Sequence, residues 1–476
     1  MVSQDNINTK LRGIFEGVIV NKKLLQIREV ARLPRYVAEY LVTKFCTDGD
    51  SKEGLKELSE FIRTYYPETK DKDKVLHDLM ERGTVKIIDD FKVETSLKLS
   101  THKLIIPCLN LRDAMILDSI LNEYENLLRA GMWGLAELKY VPSIVPRDRK
   151  GNPLMSPLLM KEFTPFQASD VDLKEFTKKR NEFSTEEWID ILINTIGLNP
   201  ERYNKRTKLI LLQRLIPLVE NNTNVLELGP RATGKTYLQR NISYYSRIIS
   251  GGRISPAVLF FNIGTKTLGE IGVKDCVIFD EIARISFANP DEMMGKLKDY
   301  MESGHFERGP KKGHSTCSLI LMGNIEIKEE IPVEDYTFTL PEFMRDTAFI
   351  DRIHGFLPGW ELPKISKSGI HLSPNYGFAS DYFCEILHEF RKIDFQNYVS
   401  QMVSLGEDLT IRDEKSILKL ASGMLKILCP HGKFGSEEIK LSIDLAIEAR
   451  QRLADWLHYL SPEEFKKIKI TYDLVS

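Results

Sequence analysis

The residues best suited to chemistry lie together at Gly229-Pro230-Arg231-Ala232-Thr233-Gly234-Lys235-Thr236. A glycine, four residues, then Gly-Lys-Thr is the order of a loop that wraps phosphates. Its glycines let the backbone close around an anion, and N–H groups at the start of a helix face the negative charge. Lys235 would reach the β- and γ-phosphates, and the Thr236 hydroxyl would hold Mg²⁺. Such a loop works only between a strand and a helix. Asn224-Val225-Leu226-Glu227-Leu228 predicts a buried strand before it, and Tyr237 to Ile242 continues as a helix after it.

A second constellation follows at Cys276-Val277-Ile278-Phe279-Asp280-Glu281. The apolar run predicts a buried parallel strand. Asp280 at its end would hold Mg²⁺ through water, and Glu281 would orient and deprotonate an attacking water. Asn324 closes a later apolar run, Ser315 to Asn324, read as the return strand of a β-hairpin. That strand is expected between the other two, where Asn324 would reach a γ-phosphate or the water. Arg345 and Arg352 come next, and an arginine here can act on a neighbouring subunit's γ-phosphate, Arg352 being the first candidate. Arg450, on the long amphipathic stretch from Glu437 to His458, is the candidate for a lid arginine that folds back on the nucleotide.

The elements that must carry these residues divide the chain. With 476 residues, it is too long for one ordinary core. The ranges read as a mixed α/β domain over 1–170, a helical connector over 171–221, a P-loop parallel-sheet core over 222–364 and a helical lid over 365–476. Residues 1–46 read as helical, with a helix opening at Leu33-Pro34-Arg35-Tyr36 and a break at Asp48-Gly-Asp-Ser; helices follow at 53–65 and 71–82. Thr84 to Leu109 reads as several short strands, 112–130 as helix, Gly134–Tyr140 and Leu158–Phe163 as strands, and Val141–Pro157 as a loop or boundary. Ser184 and Glu187 form a capping-box pattern, and Leu209 to Val219 reads as a helix that Pro217 ends or kinks.

Composition narrows the partners. The chain is 42% hydrophobic and 28% charged, with a net charge of −2, so any nucleic-acid contact must come from local patches. Six cysteines without a C-x-x-C pair suit a reducing cytoplasm better than a zinc or disulfide framework. The polar N-terminus lacks a signal-peptide core, and no apolar run is long enough to predict a membrane span.

Phosphate loop, acidic strand end, hairpin, sensor asparagine, arginine finger and lid, in this order, resemble an AAA+ ATPase. The branch is the one with a hairpin before the sensor strand, which includes minichromosome-maintenance helicases and Lon-like proteins. More narrowly, the chain resembles the Lon-protease-like BrxL family of BREX anti-phage systems. The matching stretches include Leu33-Pro-Arg-Tyr36, Gly131-Met-Trp-Gly-Leu135, Glu227 to Arg231, Phe279-Asp-Glu281, Asp299 to Gly304 and Asp351 to Gly359. Later stretches, Asn375 to Phe378, Ser422-Gly423 and Ala446 to Arg450, continue the match.

The resemblance implies ATP and Mg²⁺, a homo-oligomeric, hexameric ring, DNA as the substrate gripped, and contact with other phage-defence proteins. It also implies an N-terminal collar that faces DNA. Longer members carry a Lon-type domain after the lid; only a short stretch follows the lid helix here, so peptidase activity is not expected. The hairpin region, with Arg308, Lys311, Lys312 and His314, is the first candidate for gripping DNA phosphates, and Lys266 the second. The other readings are a protein remodeller, for which Phe306 would be the gripping aromatic, and a slow nucleotide-dependent DNA clamp.

Overall fold

The computed structural model describes residues 4–475 apart from 27–28, 47–51, 98–99, 129–130, 167–170, 329–330, 333–334 and 367–368. The predicted break at Asp48 to Ser51 lies outside the described residues. The chain forms two compact units. One comprises Lys23–Ser169 with Ala379–Tyr382; the other takes Met1–Lys22, Asp170–Phe378 and Phe383–Ser476.

The smaller unit opens with helices at Arg35–Phe45, Lys52–Tyr65 and Lys72–Arg82. Pro34 caps the first, as its fixed φ suits a helix start, and Val37 and Leu41 face inward. A closed barrel follows, of β1 (Thr84–Ser96), β2 (Thr101–Ile106), β3 (Leu111–Ile116), β4 (Met132–Tyr140) and β5 (Leu158–Pro165). Its order is β1-β2-β3-β5-β4, with β4 closing on β1. Every pair is antiparallel except β3 with β5. This is the topology of the oligonucleotide/oligosaccharide-binding barrel.

Three expectations change here. The short strands expected from Thr84 onward are one 13-residue strand followed by β2. β1 serves two partners, residues 84–91 pairing with β4 and 92–96 with β2, and its inward alternation slips at Ile87-Ile88-Asp89, all buried. That slip breaks the period a sequence reading depends on. The helix expected over 112–130 begins instead as β3, and among the described residues of that range only Asp118–Glu123 and Glu125–Leu128 are helical turns. The stretch Val141–Pro157 is a loop within the barrel, joining β4 to β5.

The larger unit is built on a five-stranded parallel sheet: β6 (Val225–Gly229), β7 (Ser246–Ile254), β8 (Cys276–Phe287), β9 (Ser318–Asn324) and β10 (Gly355–Pro358). The order is β10-β6-β9-β8-β7. β6 is buried throughout, and Val277, Ile278 and Phe279 of β8 are under 2% exposed, which is why these strands read as unbroken apolar runs. Four helices matter below: α1 (Lys235–Ile242), α2 (Pro290–Ser303), α3 (Ile411–Leu428) and α4 (Ser436–Leu460). The capping box at Ser184 and Glu187 is formed. The apolar helix from Leu209 breaks after Gln213, and Pro217 sits in the first turn of a new short helix.

Candidate nucleotide site

β6 ends at Gly229, and α1 begins at Lys235 with Gly234 at its cap in the left-handed region, φ 79°. Two backbones meet at Gly229, where a Cβ would stand 2.4 Å from the carbonyl carbon of Gly359. Gly234 is covered by Ile365, whose N–H also donates to Ala232 O at 2.8 Å. Among the described residues, no protein acceptor takes the N–H groups from Arg231 to Thr236. Six backbone donors without a protein acceptor in one short loop at the start of a helix fit an oxyanion such as a phosphate chain.

Lys235 is buried, and its Nζ donates to Gly229 O at 2.9 Å and Pro230 O at 2.8 Å. Burial holds its pKa down at about 8, with repulsion from Arg214 adding to the effect and Glu227 and Asp280 opposing it. An anion beside this ammonium would restore its charge.

Thr236 and Asp280 come from different elements and meet: Oγ1 donates to Asp280 Oδ2 at 2.8 Å. A hydroxyl and a buried carboxylate are the hard oxygen donors that suit Mg²⁺. Asp280 also accepts the N–H of Glu281 at 2.9 Å. Glu281 itself has φ 51°, a strained conformation for a side-chain-bearing residue, and the β8–β7 register shifts between Asp280 and Ile285. The irregularity turns the Glu281 carboxylate out to 43% exposure, within 3.6 Å of the Arg284 guanidinium. Asn324 pairs directly with Gly229 across the β9–β6 ladder, so the sensor candidate stands beside the first residue of the loop. β9 lies between β6 and β8, as expected.

The loop is braced from behind by a pair that sequence reasoning missed. Arg214, 1% exposed, forks onto Glu227 of β6 at 2.6 and 3.0 Å and donates its third nitrogen to Thr233 O at 3.2 Å. It ties the strand before the loop to the loop itself. The signal lay in Glu227, a charged residue inside an otherwise apolar strand, which requires a buried cation as partner.

Two family descriptions match the chain. Residues 158–471 match the "Lon-like protease BrxL-like, ATPase domain", and residues 13–140 match the "BREX system Lon protease-like protein BrxL N-terminal". Among curated proteins, the Lon-like protease BrxL of Bacillus cereus (strain H3081.97) is 34% identical over 475 residues, covering 98% of this chain and 69% of that protein. The Lon-like protease BrxL of Escherichia coli O9:H4 (strain HS) is 33% identical over 473 residues, covering 98% and 67%. The chain belongs to the BrxL family.

Within this BrxL-type ATPase domain, the remaining candidates separate. Arg450, 1% exposed on α4, spends its guanidinium inside the protein. It bonds Asp413 at 2.7 Å, the Asp351 carboxylate at 2.7 Å, and the carbonyls of Asp351 and Ile353 at 3.1 and 2.7 Å. Burial pushes the Asp413 carboxyl up, but Arg450 and Thr410 outweigh it and hold its pKa low. With every nitrogen engaged, Arg450 clamps α3 and α4 to the Asp351 segment, and the lid-arginine role assigned from the sequence is corrected. The amphipathic period placed it on the helix but could not show the two carboxylates waiting inside. Arg352 donates to Ala348 O at 2.6 Å and lies 3.4 Å from Glu302, which also binds Arg412. Arg345 donates to Leu340 O at 3.0 Å and lies over the Phe338 ring.

The hairpin differs from expectation. It is closed within itself, His305–Arg308 against Lys311–His314, with the turn at Gly309-Pro310. The return strand is therefore not the sensor strand β9. Arg308 donates to Phe261 O of a neighbouring hairpin, Phe261–Asn262 with Thr267–Leu268, so its guanidinium is partly used for packing. Lys311, Lys312 and His314 remain exposed, Lys312 lying 3.3 Å from Glu307, and Lys266 is exposed at the tip of the second hairpin. Phe306 is 4% exposed, packed against Phe260 and over Gly313, which removes it as a gripping aromatic. No helix is long and apolar enough to cross a membrane among the described residues.

Proposed function

We propose that this chain hydrolyses ATP with Mg²⁺ and uses the cycle to bind or move along DNA in BREX-type phage defence. The observation that carries the reading is the convergence of unpartnered loop N–H groups, Lys235, the Thr236–Asp280 pair and the strained Glu281 at one end of the sheet. The loop N–H groups and Lys235 bind the phosphates. Thr236 and Asp280 hold Mg²⁺, which when bound neutralises phosphate charge. Glu281 takes the proton of the attacking water, and Asn324 orients that water or the γ-phosphate. Arg352, with Arg345 as the alternative, acts on the neighbouring subunit's nucleotide, which requires a homo-oligomer; the resemblance makes a hexameric ring the expected assembly. Lys311, Lys312, Lys266 and the free part of Arg308 contact DNA phosphates. Other phage-defence proteins are its expected partners. The reading contains no peptide-bond hydrolysis, because the residues that support it position phosphates and water.

The test is turnover by wild type and Glu281→Gln, each with duplex DNA, single-stranded DNA and an unfolded protein as stimulants. Wild-type turnover is expected to rise with DNA alone. The variant is expected to bind ATP normally and to lose roughly 100-fold or more in turnover. Stimulation by unfolded protein but not by DNA would instead make this a protein remodeller.

A further inference from the structure

Helix α2 stands between two parts of the ATPase unit with separate tasks, the closed hairpin and the segment of Arg352. It holds each with a pair of side chains four residues apart, which puts each pair on one face of the helix. Lys296 Nζ donates to Glu307 O of the hairpin at 2.8 Å. Tyr300, fully buried, donates its hydroxyl to Cys317 O at 2.6 Å, just past the hairpin's return strand. The second pair follows the first by two residues, about 200° around the helix, and so faces the opposite side. Lys298 Nζ donates to the Asp346 carboxylate at 2.6 Å, and Asp346 accepts the Ala348 N–H at 2.8 Å, capping the short helix Thr347–Ile350 that precedes Arg352. Glu302 Oε2 lies 3.4 Å from Arg352 Nε.

The helix also runs into the hairpin without a linker. Ser303 is its last residue, Gly304 turns the chain at φ 73°, and His305 opens the hairpin. A Cβ at Gly304 would stand 2.9 Å from Ser315 O and 3.0 Å from His314 Nε2, so the returning leg closes directly on the helix end. Ser315 N–H donates to Gly304 O at 2.9 Å across the base. A hairpin rooted in this way moves with α2.

The Arg352 end is built to present a guanidinium, not to consume one. Nη1 donates to Ala348 O at 2.6 Å and Nε faces Glu302, while Nη2 has no acceptor among the described residues. Nε is buried and makes no hydrogen bond, so the Glu302 charge is what offsets it there. Two neighbouring arginines show the alternative. Arg412 spends both terminal nitrogens, on Asp351 and on Glu302 at 2.5 Å, and Arg450 spends all three of its own. Glu302 thus holds one side of the Arg352 guanidinium and leaves Nη2 open to an anion.

We infer that Glu302 is a positioning residue for Arg352, and that α2 makes the position of this arginine depend on the hairpin. The inference rests on the roles of Arg352 and the hairpin under the proposed function and adds the route between them. A polymer held at Lys311 and Lys312 shifts α2, and α2 carries Arg352 toward or away from the neighbouring subunit's γ-phosphate.

The experiment uses the full chain with Glu302→Ala, Arg352→Ala and the double variant. ATP turnover is measured with and without duplex DNA, alongside ATP affinity, DNA affinity and oligomeric state by sedimentation. Glu302→Ala is expected to lose roughly tenfold to 100-fold in kcat, the cost of a misplaced group, with ATP affinity within about twofold of wild type. Arg352→Ala is expected to lose roughly 1000-fold. The double variant should lose no more than Arg352→Ala alone, because Glu302 acts through that arginine. The factor by which DNA stimulates turnover should fall in Glu302→Ala while DNA affinity holds. Wild-type turnover in Glu302→Ala, or a further loss of roughly tenfold in the double variant, overturns the positioning role and leaves the role of Arg352 intact. So does a Glu302→Ala chain that loses its assembly, which makes the residue an interface contact instead. A full stimulation factor in Glu302→Ala overturns the link to the hairpin, and its absence in wild type overturns that link together with the DNA reading. Wild-type turnover in Arg352→Ala overturns both the role of Arg352 and this inference, while Glu281→Gln still decides ATP hydrolysis on its own.

Discussion

The start and the middle of β8 carry similar chemistry and opposite designs. Asp275 precedes the strand, and Asp280 with Glu281 stands farther along it. Asp275 is closed off: His388 Nδ1 lies 2.6 Å from one carboxylate oxygen and Arg391 Nε 3.7 Å from the other. Tyr245 stacks on His388 with centroids 4.2 Å apart, and its hydroxyl donates to Glu385 at 3.0 Å. Around Asp280, by contrast, the loop N–H groups have no protein acceptor among the described residues, and Lys235 bonds to carbonyls of its own loop. An acid beside an apolar run is therefore an ambiguous signal. What distinguishes a site is polar capacity left open where the backbone has been shaped to hold it open, because unmade hydrogen bonds cost stability unless a ligand completes them.

The sharpest break of this comparison is Lys235→Ala. ATP affinity is expected to fall at least roughly 100-fold, about 3 kcal/mol, because a buried cation that faces the phosphates is lost. The melting temperature should hold or rise, since the lysine's burial is itself unfavourable. Titration calorimetry and a thermal melt on the same sample check both halves. A large loss of stability with retained ATP binding would move Lys235 into the class of Asp275.

Arg450→Ala should behave in the reverse way. Removing it leaves the buried Asp413 without its cation and Asp351 with Arg412 alone, an expected loss of about 3 kcal/mol in stability. Denaturant unfolding reads the loss, and the folded fraction should bind ATP within about twofold of wild type. Lost affinity at unchanged stability would return Arg450 to the nucleotide.

These contrasts mark how far the sequence could be read. Gly229 to Thr236 was legible because its geometry is local, a few consecutive residues between a strand and a helix. Asp280 was legible because a fully buried parallel strand leaves an unmistakable apolar run. The strand that ends at Asn324 was legible as an apolar run, but that pattern does not give the strand's place between β6 and β8, which only the fold shows. Arg214, Phe306 and Arg450 were not legible, because their roles depend on which long-range partner they meet inside the fold. The barrel escaped for a related reason: β1 changes partners midway, so neither half shows a clean period. Glu227 shows what a stricter reading could recover, since a buried charge in a strand implies a partner even when the partner cannot be named.

The smallest expected effect separates the two sites by pH. His388 is pushed down by burial, but its hydrogen bond to Asp275 and the charge of that carboxylate outweigh this, and its pKa is raised. A raised basic group stabilises the fold below the ordinary imidazole pKa, about 6.5, and the contribution is lost as pH rises through the folded-state value. Lys235 has the opposite sign. Its folded-state pKa of about 8 lies below the ordinary lysine value, so the fold sheds an unfavourable buried charge as pH rises between the two. Nucleotide binding must then put the proton back, and ATP affinity is expected to fall roughly tenfold by about pH 9. Melting curves of wild type and His388→Gln across pH should therefore diverge at low pH and converge as pH rises, with ATP affinity flat over that window. The affinity should begin to fall only above about pH 8, and His388→Gln should follow wild type in that fall. An ATP affinity that tracks the histidine's titration would show that the two sites on β8 are coupled, and that the closed one regulates the open one.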